Sequence, residues 1–210
     1  IMPHRYLVTG ILTVSAFLTC VPDARAQTLS SLQAWYSFDQ DGSALVPDAS
    51  GRGNQGVLIG SFGRRRGIIA QALEFRGRDY MDSGPQPGLS TQQMSLAAFL
   101  WVDHAGEPMW IACKGMMSTS FWGIQLLENG ALRFSATWRD SFIREGKWDS
   151  TRRVTANQWT HIAVSYDGTR VVFYIDGQAD PVNAQFTYNQ GTVRNESLLF
   201  GASSPAAEAC

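Results

Sequence analysis

The sequence predicts an all-β domain: two antiparallel sheets packed face to face as a jelly-roll sandwich. Three observations carry this. Short alternating segments recur along the chain, separated by Gly, Asn, Asp and Pro. The stretch Trp159 to Gly177, W-T-H-I-A-V-S-Y-D-G-T-R-V-V-F-Y-I-D-G, reads as two strands with Asp-Gly turns at Asp167-Gly168 and Asp176-Gly177. No segment shows the 3.6-residue apolar period of an amphipathic helix.

Each element follows from local pattern. Ala34 to Phe38 is the first expected strand, and Asp48 to Asn54 is a turn-rich loop leading to a strand at Gly56 to Ile59. Arg64-Arg65-Arg66 reads as an exposed loop, with an anion or polysaccharide contact as the alternative, before a strand at Gln71 to Phe75, and Asp79 to Asp82 forms a short one. Met94 to Val102 is apolar nearly throughout and is expected at the sheet centre. Strands follow at Met109 to Cys113, at Phe121 to Leu127 and, after Asn129-Gly130, at Ala131 to Trp138. Residues 139–154 are polar with scattered aromatics and read as a long loop. In the Trp159–Gly177 block, Ile162, Val164 and Tyr166 share one face, opposite His161, Ala163 and Ser165. Val171, Phe173 and Ile175 share a face in the second strand. Short strands near Gln178 to Asp180 and Ser197 to Phe200 complete the series. Trp35, Trp101 and Trp159 lie within strands and are expected to fill the space between the sheets, with a ligand platform as the alternative for each.

Residues 1–26 read as an export signal: basic His4 and Arg5, an apolar run from Leu7 to Cys20, and a small-x-small site at Ala24-Arg25-Ala26. The mature chain is then 27–210, with no transmembrane segment. A competing reading makes Cys20 the acylated residue of a lipoprotein, against which Thr19 is a poor preceding residue. Removing residues 1–26 takes the formal net charge from −1 to −2, which gives no electrostatic case for nucleic acid. Cys113 lies in an apolar strand and reads as a buried free thiol, with a bridge to Cys210 as the alternative. The mature chain keeps two His, His104 and His161, neither near a Cys, so no zinc pattern exists.

The motifs resemble those of the laminin-G-like, concanavalin A-like lectin/glucanase superfamily. Trp159 to Gly168 matches W-x-H-x-A-x-x-Y-D-G, and Tyr174 to Gly177 matches Y-I-D-G. Trp35 to Asp39, Asp48 to Gly56 and Ala72 to Tyr80 are similar to the family's opening motifs. Ser95 to Val102 and Ile111 to Gly115 are similar to its middle ones. The resemblance runs from about Leu32 to Gly201 in the family's order. The family's closing G-x-I-D-E-V-x-I-Y strand is not found before Cys210. The resemblance therefore implies a domain incomplete at its C-terminus, with an unpaired edge beside Trp35 to Phe38 and poor solubility for 27–210 alone.

The resemblance implies binding rather than catalysis. The scaffold hosts glucanases, whose two carboxylates are supplied as E-x-D-x-E or E-x-D-x-x-E; neither pattern occurs here. A G-x-S-x-G elbow is also missing. The expectation is a non-catalytic module of an exported protein that recognises glycan. A structural or adhesive module contacting protein is the alternative, and a glucanase-like hydrolase is third. Trp138, Arg139, Asp140 and Trp148 set aromatic faces beside hydrogen-bonding groups and form the expected ligand site, with a packed hairpin as the competing reading. The resemblance also implies a structural Ca²⁺, for which Asp39, Asp41, Asp48 and Asn54 offer hard oxygen ligands; an Asx turn at Asp48 is the alternative.

Overall fold

The computed structural model describes residues 5–14, 31–40, 42–76, 79–85, 93–103, 108–116, 120–139, 143–180, 184–185 and 196–201. The described elements are seventeen strands. They are β1 (Arg5–Val14), β2 (Leu32–Tyr36), β3 (Leu45–Val46), β4 (Gly56–Ile59), β5 (Gly63–Arg66), β6 (Gln71–Arg76) and β7 (Tyr80–Asp82). Then come β8 (Met94–Val102), β9 (Met109–Met116), β10 (Ser120–Leu126), β11 (Ala131–Arg139) and β12 (Ile143–Arg153). The last are β13 (Trp159–Tyr166), β14 (Arg170–Ile175), β15 (Gln178–Ala179), β16 (Ala184–Gln185) and β17 (Leu198–Phe200).

They form two sheets. One runs β15-β14-β13-β8-β1-β6-β5, with β16 on β14 and β2 on β1; the other runs β12-β11-β10-β9-β17-β7-β4-β3. Alternation decides what each face does. Met94, Leu96, Ala98, Leu100 and Val102 of β8 are buried, as are Ile162, Val164 and Tyr166 of β13 and Val171, Phe173 and Ile175 of β14. Register stacks them: Val164 lies opposite both Leu96 and Phe173. Rings join the two sheets across the core. Phe134 of β11 stacks on Tyr166 of β13 at 6.0 Å, and Tyr36 of β2 meets Phe200 of β17 edge-on at 5.7 Å. Each such fully buried side chain contributes about 1.5–3 kcal/mol. The β14–β15 connection has positive φ at both Asp176 and Gly177, the backbone a two-residue type I′ turn requires.

Four expectations are corrected. Trp35, Trp101 and Trp159 do not fill the core. They lie on the outer face of their sheet, with Trp35 44% exposed and the other two half-buried. The core aromatics are their strand neighbours of opposite parity and others, among them Tyr36, Trp122 and Phe173. Arg64 to Arg66 is not a loop but β5, paired with β6. Residues 143–153 are an edge strand, β12, paired with β11. Cys113 is not a free thiol: it is disulfide-bonded. The only other cysteines, Cys20 and Cys210, lie outside the described residues.

The segment read as the export signal contributes β1. It pairs with β8 on one side and with β6 and β2 on the other. The expected unpaired edge along Trp35–Phe38 is thereby met at two positions, Ile11 with Tyr36 and Leu12 with Trp35.

Candidate functional site

The end of β2 builds an open polar cup. Ala34, Tyr36 and Phe38 face the core, so Trp35 and Ser37 face out. At Phe38 the backbone turns to φ +63, the left-handed region, and the chain leaves the strand. This swings Asp39 and Gln40 toward Arg64 of β5. The result is a shallow depression of about 50 Å³ lined by Ser37, Phe38, Asp39, Gln40, Pro47 and Arg64 among others. Trp35 sits one same-face step, about 7 Å, before Ser37.

The cup is held rigidly. Arg64 Nη1 donates to the Phe38 carbonyl at 2.6 Å, and Nη2 reaches the Ser43 carbonyl at 3.4 Å. Arg64 Nε is buried without a hydrogen-bond partner. Among the described contacts this guanidinium is anchored by carbonyls rather than by a carboxylate. Asp39 Oδ1 accepts the Gln71 amide at 3.0 Å. Behind the cup, Asp48 Oδ1 accepts the amides of Trp35 and Ser50, and Oδ2 accepts the Ser50 hydroxyl and the Asn54 amide, all within 2.7–3.0 Å. Burial alone would raise the Asp48 carboxyl; the Ser50 hydroxyl and the three amides outweigh it and hold it below its ordinary value.

The expected calcium ligands are therefore dispersed in role. Asp48 is the hub of an Asx-type turn, Asn54 Nδ2 donates to the Gln33 carbonyl, and Asp41 lies outside the described residues. Among the described residues no group of three or more His, Cys, Asp or Glu is placed to hold a metal.

The expected ligand residues sit on the β11–β12 hairpin. Trp138 pairs with Arg144 and Arg139 with Ile143, while Asp140 lies outside the described residues. By register Trp148 lies opposite Phe134, in the core-facing row. Trp148 is half-buried, packs against the core, and its ring centroid lies 6.4 Å from that of Phe134. The opposite face of the hairpin is polar, with Arg133 and Asp149 in a bidentate pair at 2.6 and 2.8 Å.

What the sequence reading missed is the aromatic outer face of the β8–β13 sheet. Trp159 pairs with Trp101, His161 with Phe99, and the last two rings meet edge-on at 5.0 Å. The next row runs Tyr174–Ala163–Ala97–Leu12–Trp35 across five strands. Parity was the available signal: Trp159 shares it with His161, not with Ile162.

The family model Laminin_G_3, described as the concanavalin A-like lectin/glucanases superfamily, matches residues 75–209. No curated protein matches the chain by sequence. Among solved structures, domain 4 of AbnA, a GH43 extracellular arabinanase from Geobacillus stearothermophilus, in complex with arabinotriose, is 19% identical. That alignment covers 84% of this chain and 96% of that one, with a TM-score of 0.60. Domains LG4-5 of the mouse laminin alpha1 chain are 18% identical over 54% of this chain and 28% of that one, with a TM-score of 0.40. A family 16 endo-glucanase from Bacteroides ovatus is 8% identical over 94% and 83%, at 0.41. At these identities the first likeness establishes the fold.

Proposed function

The chain belongs to the concanavalin A-like lectin/glucanases superfamily, and from this premise we propose that it is a non-catalytic glycan-binding module of an exported protein. The observation that carries the reading is the 44% exposed indole of Trp35 beside the Ser37–Asp39–Gln40–Arg64 cup. A sugar face is apolar and stacks on an indole, while its hydroxyls need donors and acceptors fixed at the rim. Arg64 and Asp39, held by backbone partners, supply both kinds. The arabinotriose bound to a domain of the same fold supports a saccharide ligand for this scaffold.

The carboxylate inventory of the cup supports binding without turnover. Glycoside hydrolysis needs two carboxyl groups flanking one bond. Among the described residues lining the cup, Asp39 is the only carboxylate. The β11–β12 hairpin with Trp138, Arg139, Asp140 and Trp148 is the competing location, disfavoured by the packing of Trp148 on Phe134.

A protein-binding, adhesive role is the second reading. It is favoured by exposed Leu45 on the edge strand β3 and exposed Val57 and Ile59 on its neighbour β4. A glycan array with pull-down on insoluble polysaccharides separates the two. Retention on a polysaccharide supports the first; no retention on any glycan, with turnover absent, supports the second.

A further inference from the structure

Arg5–Val14 is paired on both sides at residues 6–8 and 12–14, and both flanks are core strands. On one side it pairs with β8, from Tyr6 opposite Val102 to Val14 opposite Ser95. On the other it pairs first with β6, Arg5 to Val8, and then with β2, Ile11 to Val14. The register slips between Thr9 and Leu12, where β6 gives way to β2, and Gly10 occupies that gap. Register sets Tyr6 in one row with Phe75 and Val102, Val8 with Leu73 and Leu100, Ile11 with Tyr36, and Thr13 with Ala34 and Leu96. All of those neighbours are 2% exposed or less. Leu7 and Thr9 fall in the outer rows, with Trp101 and Phe99.

We propose that the gap between β8 and the β2/β6 pair is a strand-acceptor slot whose occupant is Arg5–Val14. The segment that reads as an export leader thereby also closes the sheet. Cleavage after Ala26 cuts the connection but not the pairing, which the ladders of residues 5–14 supply. An empty slot presents three strand edges, β8, β6 and β2, to any extended apolar chain. The occupant is read by alternation: apolar residues at 6, 8 and 11 with a one-residue slip at Gly10.

The test uses the full chain with a specific protease site replacing residues 22–26. The chain is folded, cut, and passed over a sizing column. The expected result is that, with disulfides reduced, the N-terminal fragment co-elutes with the body and separates only on denaturation. The body refolded alone then melts lower, and a synthetic peptide of residues 5–14 restores the melt. In that peptide Val8→Asp, on a core row, weakens binding by about tenfold or more, and Thr9→Asp, on an outer row, changes it little. A fragment that separates at once with the melt unchanged overturns the proposal. So does a peptide series in which Val8→Asp and Thr9→Asp behave alike.

Discussion

The backbone amide of Trp35 donates to the carboxylate of Asp48 at 2.9 Å, so the exposed indole is carried by a residue pinned to the turn behind it. Orientation of a sugar platform depends on such second contacts, because a side chain on a fraying edge would lose its entropy again on binding.

Asp48 should be an acid-sensitive support. Its carboxyl is held below its ordinary 3.8, so its contribution is present above that value and lost as pH falls through the lower folded value. Asp48→Ala leaves several amides without an acceptor and should cost about 1–3 kcal/mol at neutral pH. Chemical denaturation of both proteins between neutral pH and about pH 3 checks this: the gap should be widest at neutral pH and narrow on acidification.

Lys114 should be a standing liability. It is fully buried on β9, register-paired with Trp122 and Leu198, and its ammonium donates to the Glu196 carbonyl at 2.5 Å. Burial pushes it down to about 8, against the opposing pull of the Glu196 carboxylate. Between about 8 and its ordinary 10.5 the unfolded chain binds more protons, so this residue makes stability rise with pH across that window. Lys114→Met should stabilise the protein at pH 7 by roughly 1–3 kcal/mol and flatten the rise from pH 8 to 9.5. Melting curves across that range measure both.

The disulfide at Cys113 ties a buried position of β9 to Cys20 or Cys210. In protein cut after Ala26, non-reducing peptide mapping should recover Cys113 linked to Cys210. Reduction under native conditions should lower stability by about 2–4 kcal/mol.

Trp148 should behave as packing. A Cβ on Gly146 would come within 1.9 Å of the Trp148 ring, so the indole lies directly over this glycine. Gly146→Ala should cost about 1–3 kcal/mol by overpacking. Trp148→Ala should cost about 2 kcal/mol or more, less than the 3–5 of a fully buried aromatic. Neither should alter polysaccharide retention. Thermal melts alongside pull-downs check the pair.

Where one face of a strand was apolar and the other polar, the sequence was readable: β13, β14 and their turns lie where alternation and Asp-Gly placed them. β8 was located to the residue, yet its faces were ambiguous because Phe99 and Trp101 are as apolar as Leu96 and Leu100. β5 and β12 were illegible because edge strands bury little, and G-R-R-R or E-G-K-W-D carries no two-residue apolar period. The cup was hidden for another reason. It depends on a left-handed Phe38 and on Arg64 arriving from 26 residues away, and neither is written in local pattern.

The most direct measurement is affinity electrophoresis through gels containing soluble polysaccharides, arabinan and mixed-linkage β-glucan among them, comparing the parent chain with Trp35→Ala and Trp148→Ala. The account predicts retardation of the parent by at least one polysaccharide, about tenfold weaker for Trp35→Ala, the loss expected for removing one stacking face worth about 1.4 kcal/mol, and unchanged for Trp148→Ala. Retardation that survives Trp35→Ala intact, or that vanishes with Trp148→Ala instead, would contradict it.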